Sequence, residues 1–510
     1  MSIKHISIVS ASILASRVLG LLRDILFFAY LGTSLWASAF LFAFTLPNLF
    51  RRLFGEGAMT SALIPLFTES IEHGGRPHAF LFLNKVLSRV LCLLVAMFLL
   101  IALLLSGLWL SQTLPERWSL GSSLGILLMP YMIFICLAAL IAAILNVLES
   151  FGTASISAIW LNISMIAALV LGRYMFPGNL RAMILLLSAG VLIGGVLQLF
   201  FPAKRLRREG WSFQFDLSGH ERLGEWMRLL LPGLFGAAIF QINILISRLI
   251  AFSIDDSTVS ILYLANRLVE LPLGMFAIAI TTVIFPKMST YIARGDFQST
   301  GAAFNQGIRL ILAINLPAAI GLMILSEPIL TLFFEWGRFG VKDVNATLPV
   351  LQVFACALPL YALATLFTRG FHTMKDMKTP VQIAGVVLVL NAGFSLALMR
   401  PYGAVGLALA NVFSSLFHVG ALAFLLRRRH LIFRLNDLKK DLLAVLGASA
   451  FMTLVLIFGK SCVRLLALEN KQAALMQVAV LIPLAIGLYL VALYKFKFKE
   501  VSHTHPLSTI

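Results

Sequence analysis

Charge is what this sequence has least of: 22 acidic and 40 basic side chains in 510 residues, or 12% of the chain. An ordinary soluble domain carries about 25%. With 60% hydrophobic residues and a mean hydropathy of +0.95, the chain cannot present a water-facing surface of normal composition. Cysteine is nearly absent. Cys92, Cys136, Cys356 and Cys462 lie in or beside apolar stretches and form no C-x-x-C pair, so neither a disulfide framework nor a zinc site is indicated, and they read as small apolar packing residues. The patterns H-E-x-x-H, G-x-S-x-G and G-x-x-x-x-G-K-[ST] are missing, as is any metal-ligand cluster, so no cofactor or metal is expected. No interval between apolar stretches exceeds about thirty residues, which leaves no room for a soluble catalytic domain.

What the chain does have is apolar length. Crossing a hydrocarbon core takes roughly 20 apolar residues per helix. Fourteen such windows fall near 8–31, 35–54, 86–111, 123–147, 154–176, 180–202, 228–252, 259–285, 308–332, 346–370, 380–400, 404–426, 442–460 and 474–494. The expectation is an all-α integral membrane protein of about fourteen transmembrane helices. The net charge of +18 reads as topology rather than nucleic-acid binding, because the basic residues follow the even-numbered spans. Lys204, Arg205, Arg207, Arg208 and Arg222 follow the sixth, Lys287 and Arg294 the eighth, and Lys375 and Lys378 the tenth. Arg427, Arg428, Arg429, Arg434, Lys439 and Lys440 follow the twelfth, and Lys495, Lys497 and Lys499 the fourteenth. Both termini are therefore expected in the cytoplasm. Lys4 and His5 before an apolar run imitate a signal peptide, but the run resumes beyond Arg17 and Arg23, so cleavage is not expected.

An internal repeat is visible. Pro130 to Asn162 and Pro359 to Asn391 have the same separation, each asparagine follows a leucine, and the offset is 229 residues. Similar offsets relate Ser16-Arg17 to Ser247-Arg248 and Ile64-Pro65 to Phe285-Pro286. Six spans per half is an even number, so the halves share one orientation, as in many transporters. The expected organisation is two pseudo-symmetric six-helix lobes, 1–226 and 227–430, with 431–510 supplying two further helices and a cytoplasmic tail. A central cavity between the lobes follows.

The charges inside the spans are the informative ones. Arg17 lies roughly 14 Å along the first span from its start, and Arg23 about as far from its outer end. A mid-membrane arginine costs on the order of 2.5–3.5 kcal/mol on insertion scales, so such residues face a protein interior or a watery cavity and have partners. Helical geometry puts Asp24 within about 20° of Arg17 and turns Arg23 about 100° away, free for another role; the alternative is a purely structural salt bridge. In the second span Pro47-Asn48, Arg51-Arg52 and Gly55-Glu56-Gly57 predict a kinked or unwound helix end, a candidate hinge. Arg51 and Arg52 read either as cavity groups or as flanking cations reaching for headgroups. In the eighth span Arg267 and Glu270 stand at i, i+3, beside Asn266 and before Pro272. Arg17, Arg23, Arg51, Arg52 and Arg267 against Asp24, Glu56 and Glu270 leave an excess of two positive charges, which suits a diphosphate. Arginine is the apt residue, since its planar fork grips phosphate oxygens with paired donors and stays charged.

These residues also carry a resemblance. Ser16-Arg17-Val18-Leu19-Gly20 with Arg23-Asp24, Leu46-Pro47-Asn48-Leu49-Phe50-Arg51-Arg52 with Gly55-Glu56-Gly57-Ala58, Leu161-Asn162-Ile163-Ser164, Asn266-Arg267 with Glu270-Leu271-Pro272, and Lys378-Thr379-Pro380 resemble the lipid II flippase family MurJ (MviN) over roughly residues 7–430. The resemblance implies the fold of the multidrug, oligosaccharidyl-lipid and polysaccharide exporter superfamily, with the last two spans forming a lipid-tail groove. It also implies translocation of lipid II, the undecaprenyl-diphosphate-linked muropeptide, across the cell inner membrane by alternating access for peptidoglycan biosynthesis, with no bond breakage. Arg17, Arg23, Arg51, Arg52 and Arg267 become cavity arginines, and Asp24 and Glu270 their acidic neighbours. Membrane lipids and the cell-wall synthesis and division machinery are the implied surroundings. Two departures stand out: Ser38 and Asn266 occupy positions where family members commonly carry aspartate, which weakens carboxylate-based proton coupling. No Asp or Glu falls within 229–252 or 380–400, so a sodium site like that of related transporters is not supported. Membrane potential remains as a drive, at about 2.3 kcal/mol per charge and 100 mV. The alternatives are an exporter of another polyprenyl-diphosphate-linked glycan or of drugs, and a membrane glycosyltransferase. The last needs a long catalytic outer loop, and the best candidate, with Glu335, Arg338, Lys342 and Asp343, has no active-site pattern.

Overall fold

The computed structural model describes residues 3–55, 58–110, 114–428, 435–496 and 498–499; Glu56, Gly57, Arg429, Arg434 and Lys497 lie outside them. Among the described residues there are helices and no strands. In chain order they are α1 Ile3–Leu31, α2 Leu35–Phe50, a π turn Arg51–Gly55, α3 Ala58–Leu110, α4 Glu116–Leu128, α5 Pro130–Val147, α6 Phe151–Met175, α7 Leu180–Arg208, α8 Leu223–Ile254 and α9 Thr258–Pro272. A second π turn, Leu273–Ala277, leads into α10 Ile278–Ala293, α11 Phe297–Ile324, α12 Ser326–Phe333, α13 Val341–Thr373, α14 Lys378–Arg428, α15 Leu435–Leu465 and α16 Asn470–Met476. The chain closes with a third π turn, Gln477–Leu481, and α17 Ile482–Lys495.

Ten helical stretches among the described residues are long and apolar enough to cross a membrane, or eleven if the pair bent by 47° at Thr258–Met275 and Ile280–Ala293 is one span. Two of the ten are unusually long: Leu35–Leu110 and Lys378–Arg428 run for 76 and 51 residues. The second is broken at Gly403, where φ is +53°. This is a multi-pass membrane protein.

Local chemistry explains where helices begin. Ser34 Oγ accepts from Ala37 N at 3.3 Å, Asn179 Oδ1 from Ala182 N at 3.1 Å and Asp296 Oδ1 from Ser299 N at 2.9 Å, each satisfying an amide that the first turn leaves without a partner. The Lys378-Thr379-Pro380 motif is part of another such start: Asp376 Oδ1 accepts from both Lys378 N and Thr379 N, and Thr379 Oγ1 returns a bond to Asp376 Oδ2 at 2.7 Å.

The chain forms two compact units, residues 1–260 with Trp336–Arg338, and residues 261–335 with 339–510. In the first, α6 and α7 approach closely because Gly190 and Gly194 have no side chains; a Cβ on Gly190 would stand 2.6 Å from Ala168 Cβ. α8 belongs to this unit. Phe252 stacks on Phe42 of α2 with ring centroids 4.4 Å apart, and the edge of Trp118 of α4 meets it at 5.1 Å. A boundary drawn by packing need not coincide with one drawn by sequence repeat.

In the second unit one core gathers α10, α11, α13 and α14 around Phe304, Phe367 and Phe371. Another fastens α15 and α17 to α11 through Ala313, Met452 and Tyr489. Tyr489 OH donates to Ala313 O at 2.6 Å, and Arg309 of α11 pairs with Asp441 of α15 at 3.5 Å, both side chains buried almost completely. Cys136 is buried, whereas Cys92, Cys356 and Cys462 are exposed, so the expected packing role holds for one cysteine of four.

Candidate functional site

The first charged group is built where α1 lies against α6. Asp24 is buried, and its Oδ1 accepts from Arg23 Nη2 at 2.7 Å and Nε at 3.0 Å. Arg23 Nη1 donates to Asn162 Oδ1 at 3.2 Å and lies 3.9 Å from Met165 Sδ. This corrects the expectation that Arg23 turns away from Asp24. The angle between neighbouring Cβ directions does not constrain a long flexible side chain, and a carboxylate removed from water is costly unless a donor reaches it. Asn162 completes the group by donating Nδ2 to Ser16 O at 3.2 Å, so one amide on α6 holds two points of α1 about two turns apart. Arg17, between them in sequence, is half-buried.

The second element is the end of α2. Pro47 has no N–H to donate up the helix, and two neighbouring side chains bond back to the preceding turn: Thr45 Oγ1 to Leu41 O at 2.8 Å and Asn48 Nδ2 to Phe44 O at 3.0 Å. Beyond Phe50 the helix widens into the π turn Arg51–Gly55 instead of unwinding. Such turns mark local strain and recur at functional sites. Arg51 is half-buried and Arg52 exposed, while Glu56 and Gly57 of the expected hinge fall outside the described residues. Pro272 likewise precedes a π turn, and Pro47 and Pro272 stand 225 residues apart.

The third group is in the second unit. Arg267 Nη1 and Glu270 Oε2 are 3.7 Å apart, an ion pair longer than a hydrogen bond, and Asn266 Nδ2 donates to Glu270 Oε1 at 2.9 Å. The i, i+3 pairing read from the sequence is present, and both charged side chains keep access to solvent.

Ser38, where an aspartate was the family expectation, is buried and shares a hydrogen bond of 2.9 Å with Ser260 Oγ. Two neutral hydroxyls share that bond, and Ser260 N also donates to Ser38 Oγ at 3.4 Å. In the loop after α12, Asp343 Oδ2 accepts from Gly340 N at 2.9 Å and starts α13. Arg338 N donates to Ala29 O at 2.8 Å, and Gly337, at φ +58°, permits this contact because a Cβ there would overlap the Ala29 carbonyl. These loop residues are structural. Sequence reasoning missed the Arg309–Asp441 pair and the role of Asn162. The latter had a signal, the repeated Pro-to-Asn spacing.

By fold this chain is a membrane transporter. A solved lipid II flippase MurJ in an inward closed conformation superposes with a TM-score of 0.80, 27% identity, and coverage of 96% of this chain and 98% of that one. An inward-facing multidrug resistance MATE transporter of the MOP superfamily follows the same fold at a TM-score of 0.68 and 15% identity, covering 81% of this chain and 94% of that one. The family model for lipid II flippase MurJ matches residues 27–471. The probable lipid II flippase MurJ of Haemophilus influenzae is 34% identical over 79% of this chain and 82% of its own length, and that of Bdellovibrio bacteriovorus 30% identical over 98% and 96%. The chain belongs to the lipid II flippase MurJ family.

Proposed function

We propose that this protein translocates lipid II from the cytoplasmic to the periplasmic leaflet by alternating access, without catalysing bond breakage. The observation that supports the reading beyond family membership is the pairing of Arg267 with Glu270 at 3.7 Å on α9, with both side chains partly exposed. The planar fork of a guanidinium offers phosphate oxygens paired donors and keeps its charge. Arg17, Arg51 and Arg52 supply the remaining positive charge for the diphosphate, Arg23 and Asp24 are its α1 members, Glu270 balances Arg267, and Asn48, Gly55, Glu56 and Gly57 serve as the hinge. In the same reading the chain has fourteen spans, with Leu35–Leu110 and Lys378–Arg428 each containing two. The repeat lobes are 1–226 and 227–430, 431–510 forms the C-terminal pair and tail, both termini are cytoplasmic, and the surroundings are membrane lipids and the cell-wall synthesis and division machinery.

The decisive experiment depletes the protein and asks whether lipid II still reaches a periplasmic lipid II-cleaving toxin. Lipid II that accumulates and stays shielded is the expected result; continued exposure at the outer face rejects the reading. Reporter fusions at Lys4 and Lys499 test topology separately, and a periplasmic signal from either one overturns the arrangement of termini.

A further inference from the structure

The link between α7 and α8 is among the most polar stretches of the chain, and transport chemistry leaves it unused. It does not hang free. Trp211 Nε1 donates to Asn84 Oδ1 at 2.8 Å, Asn84 Nδ2 donates back to Ser212 O at 2.8 Å, and Asp216 N donates to Ser88 Oγ at 3.0 Å. Arg89 Nη2 donates to the carbonyls of Leu217 and Ser218, both at 2.8 Å, and Lys85 pairs with Asp216 at 3.1 Å. Hydrogen bonds from Ser218 and then Lys85 hold the Asp216 carboxyl down at about 2. The link is strapped along residues 84–89 of α3, where the apolar run of that helix begins.

A strap made only to connect two helices needs no exposed apolar side chains, yet Phe213, Phe215 and Leu217 are 43%, 58% and 50% exposed while Trp211 is buried. Immediately before them α7 ends in Lys204, Arg207 and Arg208, all exposed. Large apolar side chains next to exposed cations, on a segment held at the edge of a membrane span, are what an interfacial anchor requires: the apolar groups enter the boundary between headgroups and acyl chains, and the cations meet anionic headgroups. We propose that Phe213, Phe215 and Leu217 dip into the cytoplasmic leaflet at anionic phospholipid, with Lys204, Arg207 and Arg208 pairing its headgroups. Each such cation raises partition to an anionic surface about fivefold. The charge complementarity selects phospholipid over a second copy of this chain, whose net charge of +18 opposes a cationic partner.

The test uses the full chain in nanodiscs, with Cys92, Cys136, Cys356 and Cys462 replaced by alanine and a spin label introduced through Phe215→Cys; Glu221→Cys serves as the aqueous reference. In phosphatidylglycerol discs the label at 215 is expected about 5–10 Å below the headgroups, reached by oxygen and shielded from a nickel chelate. Phosphatidylcholine discs, or Arg207→Glu with Arg208→Glu, are expected to bring it closer to water. A second measurement keeps the native cysteines: Phe215→Trp should add fluorescence that brominated phosphatidylglycerol quenches. A label open to the nickel chelate in both lipids, a label shielded from both reagents as in a protein interface, or an unquenched added tryptophan overturns the proposal.

Discussion

The Arg23 and Arg267 groups each join an arginine, a carboxylate and an asparagine and arrange them differently. In the first unit the side chains of Arg23 and Asp24 are 11% and 3% exposed, the bond is 2.7 Å, and the asparagine accepts from the arginine. In the second unit Arg267 and Glu270 are 30% and 44% exposed, the separation is 3.7 Å, and the asparagine donates to the carboxylate. The functional groups match; burial does not. Around Asp24 the loss of water favours a short contact with two donors, whereas the Arg267–Glu270 contact is longer and more exposed. The buried group sets the place of α1 against α6.

The strongest way to break this contrast is to remove each arginine. Arg23→Ala withdraws two donors from a buried carboxylate and should cost about 1.5–3 kcal/mol of stability, seen as reduced membrane abundance and a lower unfolding temperature, with Arg23→Ala/Asp24→Ala partly restored. A fully stable Arg23→Ala protein would mean the group is not buried. Arg267→Ala should shift stability by under about 1 kcal/mol yet lose about 1.5–3 kcal/mol of lipid II binding, roughly ten- to a hundredfold. Arg267→Lys keeps the charge without the fork and should fall between. Normal binding by well-folded Arg267→Ala removes it from the site.

The two repeat-related asparagines sharpen the comparison at smaller scale. Asn162 has a charged partner and Asn391, also buried, lies 3.4 Å from the Ser414 hydroxyl. Thermal unfolding should show Asn162→Ala losing about 1.5 kcal/mol; an unchanged unfolding temperature would say that Arg23 draws nothing from α6. The smallest effect is a titration away from both groups. Burial first, then His78 and Lys85, lowers the pKa of His220 from 6.5, and its Nδ1 accepts from Arg222 N at 3.2 Å. A detached link takes up a proton near pH 6.5 while the docked imidazole stays neutral, so docking is complete above that pH and weakens below it. Hydrogen exchange in 209–222, corrected for intrinsic rates, should quicken on the acid side of 6.5 and lose that dependence in His220→Gln.

Much of this was legible in the chain. Apolar windows, the proline in α2, the i, i+3 pair at Arg267 and the helix start at Lys378-Thr379-Pro380 are local patterns, read within one or two helical turns. The bond from Arg23 to Asp24 was not foreseen, because an angular argument about Cβ directions says nothing of how far an arginine folds back. Asn162 was noticed as a repeat marker, but its bonds to α1 span 139 and 146 residues of sequence. The pairing of Arg309 with Asp441 crosses between helices with no motif to announce it.

Sequence alone determined that this protein lives in a bilayer, that it is helical, and that arginine dominates its interior charge, since each follows from side-chain chemistry summed over short stretches. Tertiary structure decided which charges are buried, that α8 packs with the first unit through Phe42, Phe252 and Trp118, and that the polar link is strapped to α3 with three apolar side chains exposed. The reason is physical: an ionic contact is set by the water left around it, and that depends on neighbours brought from far along the chain.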